Sequence, residues 1–314
     1  MKDYFLIMNP ASHSGKSRRK CDEIIRRMTE SNADFDYHFT KDMDHALMLS
    51  RNANLDGYKT IVAVGGDGTI NAVVNGFYST DGFRLSDASL GVIYTGTSPD
   101  FNRSYNIPLT IDQAVDSIIK QKIREIPVGM ITFENLTSTE IPEVRYFVCC
   151  TNIGLGASLA RKANGGIRRK LGDFWGTFLS LIRLLFHFKS FSAISIERSQ
   201  ETTAHKLTNI SVGITPYIAS GIKVPVSFDP RKKEFYKMTV RKLNLFRVVP
   251  LLKKVYSGKP FRNTEYLSLE STTQIEFSSA NTVEVEADGD PVGMLPCAIR
   301  FAQDNLPLIV SENL

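Results

Sequence analysis

Strand-like and helix-like runs alternate through the first 125 residues, and beyond them the alternation stops. Tyr4–Met8, Phe35–Phe39, Thr60–Val64 and Leu90–Tyr94 are short apolar runs of strand length. Between and after them lie amphipathic runs of helix length. Lys16–Glu30 puts Cys21, Ile24, Ile25 and Met28 on one face, and Thr69–Tyr78 turns Val73, Val74 and Phe77 inward. Asp42–Asn52 and Ile111–Gln121 read as two more helices. Strands separated by helices need crossover connections, which predicts a parallel sheet covered on both faces. From about Arg124 the strand-like runs follow one another: Arg145–Asn152, Ala193–Arg198, Thr208–Thr215, Phe235–Leu243, Tyr266–Glu270, Gln274–Ser278 and Thr282–Ala287. Two helical stretches, Arg168–Phe188 and Leu245–Ser257, interrupt them. That succession predicts an antiparallel sandwich or barrel.

At 314 residues the chain is long enough for two such domains, and the cleft between them is the default place for a site. Hydrophobic residues at 42% and charged ones at 23% exclude a disordered, collagen-like or coiled-coil chain. Lysine and arginine (38) exceed aspartate and glutamate (33) by five, compatible with anionic substrates or an acidic membrane face but no argument for nucleic acid. Cys21, Cys149, Cys150 and Cys297 form no Cys-x-x-Cys pair and read as buried thiols of a reducing compartment. The five histidines lack zinc-site spacing. Tyr4–Met8 is too short for a signal peptide, and Phe174–Phe191 is broken by Arg183, His187 and Lys189. The expectation is a soluble cytoplasmic protein.

Gly65-Gly66-Asp67-Gly68-Thr69 follows the third predicted strand and opens a helix, with Thr69 as the predicted N-cap. Glycines there let phosphates approach the backbone, and the N–H groups of a helix start attract them. Asp67 beside phosphates implies an intervening cation, Mg²⁺. A plain glycine turn is the alternative reading. Asn9-Pro10-Ala11-Ser12-His13-Ser14-Gly15-Lys16-Ser17 ends like a P-loop, but Pro10 stands where the first glycine is needed. It reads either as a capped turn or as a second phosphate-holding loop. Gly96-Thr97-Ser98-Pro99-Asp100 is the third loop expected at the same sheet edge.

Near the C-terminus, period two puts Glu284, Glu286 and Asp288 on one face and Val283, Val285 and Ala287 on the other, toward the core. Asp288-Gly289 reads as a hairpin turn, and the Asp288/Asp290 pair as carboxylates for proton transfer or metal binding. Arg168–Phe188 is rich in Phe, Leu and Trp175 among basic residues, which suits a core helix or one at a membrane interface.

The ordered set resembles the diacylglycerol kinase-like lipid kinases, a family with bacterial soluble lipid kinases and sphingosine and ceramide kinases. It comprises Asn9-Pro10, Gly65–Thr69 with Asn71 and Val74-Asn75-Gly76, Gly96-Thr97 with Asp100-Phe101, and Asp288-Gly289-Asp290. Gly154-Leu155-Gly156 and Ser220-Gly221 with Pro225 look like family landmarks as well. The resemblance implies a Rossmann-like parallel-sheet domain over 1–124, joined by about 302–314 through a returning C-terminal strand, and a β-sandwich lipid-substrate domain over 125–301. It implies an ATP-dependent lipid kinase using Mg²⁺ and acting on a diacylglycerol-like lipid at a membrane surface. Peripheral membrane contact and a homodimer are compatible with that reading. Asn9, Pro10, Ala11, Ser12, His13, Thr40, Gly65, Gly66, Asp67, Gly68, Thr69, Ile70, Asn71, Ala72 and Thr97 would form the ATP site. Asp67, Asp100 and Asp288 would form a Mg²⁺-linked network, with Asp67 and Asp288 on the metal, and Asp290 would accept the substrate proton. Ala72, Pro99, Ser158 and Asp290 stand where glutamate, asparagine, aspartate and glutamate are usual, and His13 where glycine is common. A nucleotide-binding protein without catalysis and an NAD-kinase-like metabolite kinase are the alternatives.

Overall fold

Continuous burial along a strand needs cover on both of its faces, and Thr60–Gly65, Ser89–Tyr94 and Leu306–Ile309 are buried at every position. In the computed structural model these three belong to one six-stranded sheet. The structure describes residues 3–11, 17–134, 143–162, 190–218, 222–226, 229, 231–241 and 262–311. The elements run β1 (Tyr4–Met8), α1 (Ser17–Glu30), β2 (Phe35–Phe39), α2 (Met43–Leu55), β3 (Thr60–Gly65), α3 (Asp67–Asn75), β4 (Ser89–Tyr94), α4 (Asp100–Tyr105), α5 (Ile111–Lys120) and β5 (Ile123–Ile126). They continue with β6 (Gly129–Phe133), β7 (Glu143–Phe147), β8 (Cys150–Gly154), α6 (Leu155–Lys162), β9 (Phe191–Glu197), β10 (Gln200–Gly213), β11 (Tyr217–Ile218), β12 (Ile222–Lys223) and β13 (Phe235–Arg241). The last are β14 (Leu267–Thr272), β15 (Ile275–Ser278), β16 (Glu284–Ala287), β17 (Asp290–Met294), β18 (Cys297–Phe301) and β19 (Leu306–Ile309). The chain divides into two compact units, one from Met1–Val128 and Ala302–Leu314, the other from Gly129–Ile218 and Ile222–Phe301.

The first unit has strand order β2-β1-β3-β4-β19-β5. β1, β2, β3 and β4 are mutually parallel, while the returning β19 is parallel to β4 and antiparallel to β5. On one face Cys21, Ile24 and Met28 of α1 pack with Ala114, Val115 and Ile118 of α5 against Leu6, Met8, Val62, Val64 and Ile93. α2 and α3 pack against each other closely: a Cβ on Gly76 would lie 2.5 Å from that of Ser50. The chain steps from β1 outward to β2 and then back across to β3. The carboxyl ends of β1 and β3 are therefore the switch point at which open α/β sheets take ligands.

The second unit is built on an antiparallel sheet of eleven strands, with β11 and β12 paired as a separate two-stranded sheet. The unit's larger core includes Ile131, Phe147, Ile153, Ile210, Phe235, Val285 and Ile299, and a smaller cluster joins Cys150, Val224, Tyr236, Met238 and Leu267. The run Arg145–Asn152, expected as one strand, is two: β7 ends at Phe147 and β8 begins at Cys150. The interruption is imposed from outside the run, by a carboxylate described below. α4 had no sequence signal, being too short for a periodicity to emerge. The stretches Arg168–Phe188 and Leu245–Ser257 lie outside the described residues. Among the described residues no helix is long and apolar enough to cross a membrane, and all four cysteines are buried free thiols.

Phe147 shows how tightly this core is built. Its ring lies over Gly129 on the neighbouring strand, where a Cβ would approach it to 2.2 Å. The ring has nowhere to go, because it stacks on Phe235 at 5.8 Å and Phe235 stacks on Phe301 at 3.8 Å. Gly129→Ala is expected to lower unfolding stability by about 1–3 kcal/mol through overpacking, measured by urea denaturation.

Candidate functional site

In the first unit the loops after β1, β3 and β4 are bonded to one another. The Asn9 amide N–H donates to the Val64 carbonyl (2.8 Å), its Nδ2 donates to Thr69 Oγ1 (3.0 Å), and its Oδ1 accepts from the Ala11 N–H (3.0 Å). Asn9 thus ties the first loop to the opening turn of α3. The Thr95 N–H donates to the Gly65 carbonyl (2.8 Å), and the Thr40 N–H to that of Met8 (2.8 Å). A Cβ on Gly96 would sit 2.7 Å from the Gly66 Cα, so these two loops meet at their glycines. A Cβ on Gly65 would reach to 2.3 Å from Thr69 Oγ1. Glycine at 65 is therefore required by a neighbouring side chain.

The expected N-cap is corrected: Gly66 caps α3 and the helix begins at Asp67, two residues before Thr69. Thr69 is buried in the first turn and spends its hydroxyl on Asn9. Asp67 lies at the positive end of the helix dipole, a favourable place for a carboxylate. Ile70 is fully buried in the hydrophobic interior, and Asn71 and Ala72 are also buried, whereas Thr97 and Ala11 are exposed. Ser12 and His13 lie outside the described residues.

Tyr94, which sequence reasoning treated only as a strand end, lies where Asp67 and Asp100 converge. Burial, followed by the Asp67 carboxylate and more weakly by Asp100, pushes its phenol well above the ordinary value. The Tyr94 hydroxyl accepts the Ser98 N–H (2.8 Å) and so holds the third loop. Asp100 is buried in the first turn of α4, its Oδ1 3.8 Å from Arg103 Nη1.

In the second unit β16 and β17 form the hairpin expected at Asp288-Gly289, with Ala287 opposite Asp290. Asp288 at φ 49° and Gly289 at φ 94° are both left-handed, the conformation a two-residue Asp-Gly turn adopts. The Asp288 carboxylate accepts three backbone N–H groups: Val148 on Oδ2 (2.8 Å), and Cys149 (2.9 Å) and Cys150 (3.0 Å) on Oδ1. This is the carboxylate that ends β7. Three amides turned toward one anion cannot also continue a strand ladder. Three of roughly four acceptor sites on a carboxylate thus face backbone donors, and the first task of Asp288 is to hold chain.

Glu286 was not among the expected site residues, yet its carboxyl is strongly perturbed. It is 3% exposed, because α6 packs over β8, β16 and β17 and covers the outer face of the hairpin. Burial pushes its pKa up to about 8, against the lowering effect of hydrogen bonds from Asn152 and the Gly289 N–H; Asp288 and Asp290 raise it further. Ser158 and Arg161 of α6 both bind Glu284, at 2.7 and 2.9 Å. Among the described residues no three His, Cys, Asp or Glu side chains form a group able to hold a metal ion. Magnesium bound with a nucleotide usually needs only one or two carboxylates, the phosphates and water supplying the rest. Asp67, partly exposed at a glycine-lined loop, fits that requirement.

Parallel strands with three converging loops at the switch point define an α/β unit of the kind that takes ligands at the carboxyl ends of its strands. Residues 3–131 match the model of the diacylglycerol kinase catalytic domain family, in line with the resemblance carried by those loops. The chain is similar to a diacylglycerol kinase of Staphylococcus carnosus (strain TM300), 24% identical over 93% of this chain and 89% of the relative. Its fold is similar to that of a solved diacylglycerol kinase structure from Bacillus anthracis str. Sterne, with TM-score 0.70 and 18% identity over 99% of this chain and 97% of that one. A yeast NADH kinase solved with NADH shares the fold more distantly, with TM-score 0.57 and 11% identity over 99% of this chain and 84% of that one.

Two outcomes follow for the second unit. Asp288→Ala leaves three buried N–H groups without their acceptor and is expected to cost at least about 2 kcal/mol, read by thermal or urea unfolding. For Glu286 the folded value near 8 lies above the ordinary 4.5. The folded state thus holds its proton where the unfolded chain has released it, so stability is greatest below 4.5 and falls as pH rises toward 8. The fall approaches roughly 1.4 kcal/mol per pH unit across that window. Glu286→Gln removes this component, and melting curves from pH 5 to 8.5 should show the variant gaining on the unaltered chain.

Proposed function

We propose that this protein is an ATP-dependent lipid kinase that transfers the γ-phosphate to a hydroxyl of a diacylglycerol-like lipid. The observation that carries the reading is the bonding of the β1, β3 and β4 loops at the switch point of a parallel sheet. Phosphoryl transfer asks a protein mainly for positioning and charge neutralisation. The Gly65–Thr69 loop opens a nine-residue helix with its dipole toward the phosphates. Gly66 allows the Gly96 loop, and Gly65 the Thr69 hydroxyl, to close in. Asp67 would hold Mg²⁺, which when bound with ATP neutralises phosphate charge. Asp290, at the start of β17, accepts the proton of the lipid hydroxyl as that oxygen bonds to the γ-phosphorus. The bond from phosphorus to the β,γ-bridging oxygen breaks, and ADP leaves. Asp288 supports the step by fixing the turn from which Asp290 projects. The names of the curated relatives support the lipid as acceptor.

Radiolabelled ATP with a total lipid extract should yield a labelled lipid, identified by mass spectrometry. Asp290→Asn is expected to lower turnover by about 100-fold or more, the lower range of general-base contributions, while ATP binding by calorimetry stays unchanged. Undiminished turnover in that variant sinks the assignment of the base, and labelling of NAD in place of lipid sinks the substrate class.

A further inference from the structure

The geometry points to Glu286 as a positioning residue. Its carboxyl group grips the backbone of the Asp288-Gly289 turn and anchors it, through a chain of partly buried polar side chains, to the start of α6. The inference rests on the kinase reading above, in which Asp290 is the proton acceptor. Glu286 Oε2 accepts the Gly289 N–H at 2.6 Å, and Oε1 accepts from Asn152 Nδ2. Asn152 Oδ1 in turn accepts from Ser211 Oγ and from Asn209 Nδ2. Asn209 Oδ1 accepts the Gly156 N–H at 2.8 Å, in the first turn of α6. One continuous chain of hydrogen bonds therefore joins the turn to β8, β10 and α6. It has little slack: a Cβ on Gly156 would lie 2.8 Å from the Asn152 Cβ.

A two-residue Asp-Gly hairpin closes without help from a buried acid, and burying a carboxyl group is costly. The fold alone does not call for Glu286. What it adds is a second anchor on the turn. Asp288 holds the turn to residues 148–150, and Glu286 holds the next amide, one residue before Asp290. A turn gripped at two successive residues presents Asp290 in one orientation. Catalysis is sensitive to such placement, since an error of about 1 Å can cost about 100-fold in rate.

The test measures kcat and the KM for ATP on the full-length chain, with vesicles of total lipid extract and labelled ATP. Glu286→Ala, which removes the grip, should lower kcat by about 30-fold or more while the KM for ATP stays within about twofold. Glu286→Gln keeps an oxygen for the Gly289 N–H but turns an NH2 toward Asn152 Nδ2, so it should lower kcat less than Glu286→Ala and no more than Asn152→Ala, by about tenfold at most. Asn152→Ala cuts the chain one link further away and should lower kcat by about tenfold, which keeps the test decisive if Glu286→Ala does not fold. Ile210→Val, a core change of comparable melting loss, should leave kcat per folded molecule unaltered. Undiminished kcat in Glu286→Ala or Asn152→Ala overturns the inference, as does a loss that only follows melting temperature across all four variants. An unaltered chain that labels no lipid removes the kinase reading itself, and the positioning role with it.

Discussion

Where β7 stops and β8 begins, three backbone N–H groups turn toward the carboxylate of Asp288, about 140 residues further along the chain. Buried amides must find acceptors, and this one anion serves the three that a regular strand would have sent to its neighbour. The arrangement breaks the strand, seats the hairpin and sets the direction in which Asp290 leaves it. Asp288 therefore works first on the fold. Any role near phosphates or a cation begins from a group already committed to backbone donors.

The first unit solves the equivalent problem with neutral groups. Its loops are joined by Asn9, Thr69 and Tyr94, none of which carries a formal charge, and by glycines that meet face to face. Uncharged ties hold the loops together without contributing charge of either sign. Asp67 and Asp100 are carboxylates at this edge, and both lie at helix starts where the dipole compensates them, with Arg103 also near Asp100. Tyr94 senses both. The two units thus place different demands on their carboxylates: in one they stand beside a glycine loop, in the other they brace a turn.

Much of this was legible in the residues. The parallel sheet followed from apolar runs spaced by amphipathic ones, and the Asp288-Gly289 hairpin from a dipeptide that tolerates left-handed backbone. The three loops were recognisable by their glycines and by their positions after strands. Glu286 was not legible, because period two places it on the outer face of β16, where a glutamate is ordinarily solvated. Only α6 covering that face makes it buried. Tyr94 read as one more strand residue, and Thr69 as a cap, since nothing near it in the chain reveals Asn9 as its partner.

The amino-acid sequence by itself determined the periodicities, the turns that need glycine and the motifs by which residues 3–131 match the diacylglycerol kinase catalytic domain model, because these depend on neighbours a few positions away. Tertiary structure alone decided which polar groups are buried and what satisfies them. Asn9 finds Thr69 across 60 positions and Asn152 finds Glu286 across 134. The cost of leaving a buried donor or acceptor unpaired is paid in three dimensions, so its resolution is written in contacts that no local pattern contains.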